Sequence, residues 1–179
     1  MPHRISWTGS LVVGLWLVTV AAAAETQANQ AAAPWRLVRS ANPGGGSDAI
    51  SMTRSADISS DPDLAGLMLR CHRINPELIV VVVTPFPPHA QPSVTISANG
   101  KEWHFEAELV PPGAEVLLPA AATDLASGPW QSAPQLALKI SWQQRSINGV
   151  IPIDGLRGAL TTLAANCPRE GPTDSAHPN

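Results

Sequence analysis

The chain has 179 residues, 44% of them hydrophobic, with 11 Lys and Arg against 14 Asp and Glu, a net charge of -3. Its only lysines are Lys101 and Lys139, so it lacks the basic footprint that a phosphate backbone requires, which excludes nucleic acid as a partner. The length allows one domain with a real buried core once the terminal segments are set apart.

His3 and Arg4 precede an apolar run over residues 11–20 and four alanines over 21–24. A positive start, an apolar stretch of this length and small residues before Glu25 predict a secretory signal peptide over residues 1–24. The run is shorter than the roughly 20 residues a comfortable span needs. An uncleaved anchor is the alternative; the cleaved chain has no stable membrane span and is expected to be periplasmic or secreted. Residues 25–33 are small and polar and read as a flexible linker. Residues 169–179 are rich in Pro, Asp and Ser and read as a disordered tail. The folded domain is predicted over 34–168.

Period-two alternation dominates that domain. Ile50, Met52 and Arg54 lie on one side of a strand against Ser51, Thr53 and Ser55, and Leu67, Leu69 and Cys71 share the face of another. Arg70 points away from those three, where it is either exposed or paired with a carboxylate, Asp48, Asp57 or Asp154. His72 and Arg73 fall at the strand end. Residues 78–83 are continuously apolar and mostly β-branched, the mark of a central strand covered on both faces. Prolines then dominate residues 85–92, a loop carrying Phe86 and His89.

Asn99-Gly100 tolerates the positive φ angles of a hairpin turn between strands over 93–98 and 101–109. In the second of these, Trp103, Phe105, Ala107 and Leu109 face the core, while Glu102, His104, Glu106 and Glu108 face away. Leu136, Leu138, Ile140 and Trp142 alternate in a further strand, expected to turn through Asn148-Gly149. Trp35, Trp103 and Trp142 are expected as core anchors. Trp130, in Ser-Gly-Pro-Trp, is expected at a loop, partly exposed and available to a partner. Beyond Asp154, a candidate N-cap, the period becomes helical through Leu156, Ala159, Leu160, Leu163, Ala164 and Cys167 until Pro168 stops it. The whole predicts a mainly β protein, an antiparallel β-sandwich of about eight strands with one C-terminal amphipathic helix packed on it; an open barrel is the alternative.

No recognised catalytic motif is present, and Gly44-Gly45-Gly46 lacks the Lys and Ser/Thr of a phosphate loop. The row Glu102, His104, Glu106 and Glu108 is the one candidate for chemistry, because alternate strand residues share a face about 6 to 7 Å apart. It reads as a solvated face, with metal binding by His104, Glu102 and Glu106 as the alternative. No cofactor is called for. Cys71 and Cys167 are the only cysteines, and behind an export signal a disulfide between them is the default against two buried free thiols. Such a bond leaves no thiol for nucleophilic chemistry.

Trp35-Arg-Leu-Val-Arg-Ser40, the polar loop with Asp48, Leu67-Met-Leu-Arg-Cys71 and the closing stretch from Ile153 to Cys167 resemble the VasI/TagO-type periplasmic accessory proteins associated with type VI secretion. That resemblance spans most of the folded region and implies that Cys71 and Cys167 pair. The size, signal and two cysteines are also similar to the invasion-associated locus B type of exported β-protein. The expected function is that of a non-enzymatic exported accessory protein binding another envelope protein or a wall component, with Trp130, Phe86 and His89 as candidate contacts. An inhibitor or binder of an extracellular hydrolase, and a metal-dependent enzyme using His104, are the alternatives. The residues leave the oligomeric state open.

Overall fold

The alternating segments become strands in the computed structural model, which describes residues 34–41, 48–72 and 75–167. The predicted signal peptide, linker and tail, with Gly44-Gly45-Gly46 and Arg73, lie outside the described residues. In chain order the elements are β1 (Arg36–Ser40), β2 (Ala49–Ser55), β3 (Leu64–His72), β4 (Asn75–Val82), β5 (Ser93–Ala98), β6 (Lys101–Glu106), β7 (Glu108–Val110), β8 (Glu115–Leu117), α1 (Ala120–Ser127), β9 (Gln135–Trp142), β10 (Arg145–Pro152) and α2 (Leu156–Asn166). Two antiparallel sheets result, one ordered β1-β2-β3-β4-β8-β7 and the other β10-β9-β5-β6. This is a mainly β, sandwich-like arrangement, with ten strands among the described residues where about eight were expected.

Register explains the core. Met52 sits opposite Leu69 and Leu69 opposite Leu78, so these three share one face of the first sheet. In the second sheet Val94 sits opposite Ile140 and Ile96 opposite Leu138. All seven are buried in one hydrophobic cluster that also contains Trp130, Ala122 and Leu163. Burying each large aliphatic side chain stabilises the fold by about 1.5 to 3 kcal/mol. Leu78, Ile79 and Val80 are fully buried, as a strand covered on both faces requires, while Val83 lies just past the strand and is exposed.

Three local readings change. The turn after β9 is Gln143-Gln144, because Trp142 pairs with Arg145 and Gln143 takes the positive φ of 51°. Gly149 instead lies within β10, where an added Cβ would stand 2.5 Å from Leu64 Cδ2 and 2.6 Å from Ser60 Cβ. The glycine is there because a loop approaches, not because the chain bends. Likewise the strand expected over 101–109 is divided: at Ala107, whose amide donates to the Pro92 carbonyl, the chain leaves the second sheet and enters the first. The third change concerns Asp154. Gly155, in the left-handed region at φ 79°, caps α2 without any side-chain bond, and the Asp154 carboxylate accepts from the buried Arg54 guanidinium instead.

α2 packs on β2, β3 and β4 through Leu156, Ala159 and Leu163, with Leu160 half-buried; Ala164 is exposed, so the apolar stripe is narrower than its sequence implies. α1 and the 3-10 turn Pro129–Ser132 were not legible as helices, being short and without side-chain caps. Pro119 before three alanines was the available signal. Trp35, Trp103 and Trp142 are half-buried and pack against the core.

Cys71 and Cys167 form a disulfide with a Cα–Cα distance of 5.7 Å across 96 residues of sequence. Closing a loop of that length removes about 4 to 5 kcal/mol of chain entropy from the unfolded state. Replacing both cysteines with alanine is expected to destabilise the domain by up to that amount, read as a lowered urea midpoint with an increased m-value. Gly149→Ala is expected to cost about 1 to 3 kcal/mol by overpacking against Ser60 and Leu64, measured by the same denaturation.

Candidate functional site

A sheet has two edges, and the unpaired backbone groups along them must be covered or used. At one end of the second sheet, residues 57–61 cover β10: the amides of Asp57 and Asp61 donate to the carbonyls of Val150 and Asn148, and Ser60 Oγ accepts from the Val150 amide. The other end is β6. Its two-residue turn makes Ala98 and Lys101 a hydrogen-bonded pair, so by alternation Trp103 and Phe105 also direct their backbone groups at β5. The amides and carbonyls of Glu102, His104 and Glu106 therefore face outward, and among the described residues no backbone hydrogen bond reaches them.

The inner side chains make this edge rigid. Trp103 and Phe105 meet the Trp130 ring edge-on, with centroids 5.7 and 6.5 Å away. On the outer face, His104 Nδ1 lies 3.0 Å from Thr95 Oγ1 and its Nε2 lies 3.1 Å from Glu102 Oε1. Ser97 Oγ donates to the other Glu102 oxygen at 3.3 Å. The side chains of Glu106 and Glu108 have no hydrogen-bond or ion-pair partner among the described residues. Both border two clefts. One, of about 290 Å³, is lined by Pro76, Leu117, Leu118 and Pro119, together with His72 and Glu77. The second, of about 630 Å³, is formed with residues 88–91, including His89, and with Ala107 and Leu109.

Nearby charges are already satisfied. Arg70 sits opposite Glu77 in the β3–β4 register and binds it at 2.7 Å and Glu115 at 3.0 Å. Its partners are thus glutamates of β4 and β8, not Asp48, Asp57 or Asp154, the last of which binds Arg54 instead. His72 Nδ1 lies 3.6 Å from Glu77 Oε1. Among the described residues no group of three or more His, Cys, Asp or Glu side chains is placed to hold a metal ion, the row at His104, Glu102 and Glu106 included.

Two of the three expected contact residues are internal. Trp130 is 1% exposed, because the 3-10 turn that follows Gly128 swings the indole inward, and its Nε1 finds no partner among the described residues. Phe86 is 2% exposed: its ring lies edge-on to Trp142 at 6.4 Å and beneath the Arg145 guanidinium at 4.5 Å. Both aromatics hold loops to the core and are corrected from surface contacts to anchors. His89 is exposed, on the wall of the larger cleft. Glu77, Glu106 and Glu108 line the clefts and lie outside the expected contacts, although the alternation over 101–109 pointed to the last two.

Arg145 also donates to Asp63 Oδ2 and to the Thr84 carbonyl, both at 2.9 Å. The Thr84 hydroxyl beside Asp63, at 2.6 Å, and then the Arg145 guanidinium hold the Asp63 carboxyl below its ordinary value of 3.8. This clip fixes the loop that forms the larger cleft. No protein-family model, curated protein or solved structure matches this chain.

Because the folded Asp63 is the stronger acid, its contribution to stability is complete above the unfolded carboxylate range and is lost as pH falls below about 4 towards the depressed value. Thermal unfolding followed from pH 6 to pH 2 is expected to show a steeper acid loss for the native chain than for Asp63→Asn.

Proposed function

We propose that this is a non-enzymatic cell-envelope accessory protein that docks another envelope protein or wall component by strand addition at β6. The observation that carries the reading is the open edge itself: outward amides and carbonyls at Glu102, His104 and Glu106, on a strand held stiff by Trp103, Phe105 and Trp130. An edge of this kind supplies main-chain hydrogen bonds, and the clefts beside it supply selectivity. The opposite end of the same sheet is sealed by residues 57–61, so openness at β6 is not a general property of the sheet.

The export setting draws on the signal-like residues 1–24 and on the disulfide, a bond that persists in oxidising compartments. Among the described residues no helix is long and apolar enough to cross a membrane. The association with type VI secretion draws on the Leu-Met-Leu-Arg-Cys strand and the helix ending in Cys167, whose cysteines are bonded to each other.

A photo-crosslinking residue at position 102 should trap one partner in the native periplasm, whereas the same residue at Thr161, on the exposed face of α2, should not. His104→Pro removes an outward amide and no ladder bond; it should abolish the crosslink while leaving the circular dichroism spectrum unchanged. Equal trapping from Thr161, or survival of the crosslink in a folded His104→Pro variant, would count against strand addition.

A further inference from the structure

We infer that the segment added to β6 is cationic, and that the cleft walled by Leu117, Leu118 and Pro119 receives one of its Lys or Arg side chains. This rests on the strand-addition reading and assigns the chemistry of the partner. A second copy of the chain is a poor occupant of the edge. Antiparallel pairing of two β6 strands centred on His104 would set each Glu102 opposite a Glu106, and like charges directly opposite each other destabilise a strand pair.

A segment with Lys or Arg at alternate positions reverses the sign of that interaction. Its outer side chains would stand against Glu102 and Glu106, each opposite-charge pair contributing to the ladder, with His104 between them. At the Glu106 end the chain crosses between sheets at Ala107, and there the two clefts open on either side of Glu106 and Glu108. An added strand following β6 runs into this point.

The smaller cleft matches one long cationic side chain. Its volume of about 290 Å³ is at the bottom of the range for ligand pockets, which favours a side chain over a cofactor. Pro76, Leu117, Leu118 and Pro119 offer an apolar wall for the methylene stem, with the charged head left at the rim. Glu77 is engaged by Arg70, whereas Glu106 and Glu108 have no partner among the described residues. These two are the acceptors for the incoming charge.

The test uses blocked heptapeptides, Lys-Val-Lys-Val-Lys-Val-Lys and Thr-Val-Thr-Val-Thr-Val-Thr, titrated at pH 7 into the oxidised, isotopically labelled protein and followed by amide shifts. The lysine peptide should perturb Glu102, His104 and Glu106 together with Leu117 and Leu118. It should weaken about tenfold in the double variant Glu106→Gln, Glu108→Gln, whose exposed side chains carry no contact the fold depends on. Equal affinity for both peptides, shifts on β6 without shifts in the cleft, or an undiminished affinity in the double variant would overturn the cationic assignment and leave strand addition standing. If neither peptide moves the β6 amides, strand addition falls with it.

Discussion

The attachment of α2 across the first sheet is the constraint on which the rest depends. At its start the Asp154 carboxylate meets Arg54, a guanidinium buried on the core face of β2 that also donates to the Pro152 carbonyl at 2.9 Å. At its end Cys167 is bonded to Cys71 on β3. Between these points Leu156, Ala159 and Leu163 are buried. Trp35 Nε1 donates to the Asp154 carbonyl at 3.1 Å, and Arg39 donates to Asn166 at 2.6 Å, so β1 lies beside the helix along its length. The Arg54 guanidinium is buried, so the groups that solvate its charge, Asp154 and the Pro152 carbonyl among them, tie the helix start to β2. Two distant sequence segments are thereby held in one register.

That fastening leaves the second sheet free to differ at its two ends. Residues 57–61 continue directly from β2 and are drawn onto β10, where Gly149 makes room for them. Among the described residues no equivalent segment covers β6, which is backed by the packing of Trp103 and Phe105 on Trp130. In an antiparallel pair with a copy of itself the acidic row along its outer face would set Glu102 against Glu106, a like-charge contact that destabilises such pairing.

The hairpin at Asn99-Gly100, the inward set on β6, the doubly buried run in β4 and the pairing of Cys71 with Cys167 were all legible, because each is written in spacing, turn chemistry or residue count. The clefts were not. The smaller forms where β4, β8, the start of α1 and the β6–β7 crossing converge, the larger where residues 88–91 meet residues 106–109, and no local pattern encodes either convergence. Trp130 and Phe86 show the same gap from the other side: a tryptophan after Gly-Pro and a phenylalanine among prolines carry the composition of exposed loops, yet both are core anchors. Their burial depends on Trp103, Phe105, Trp142 and Arg145, partners supplied by other strands.

By itself the sequence determined which segments alternate, which one winds into the closing helix, where the tight hairpin falls and which side chains on β6 turn outward, since these follow from backbone periodicity and from the φ preferences of single residues. Tertiary structure decided which glutamates hold Arg70, which edge stays open, that Gly149 admits a loop instead of making a turn, and that the strand after Glu106 changes sheets. Those outcomes depend on which distant residues come into register, and register is settled by packing of the whole core.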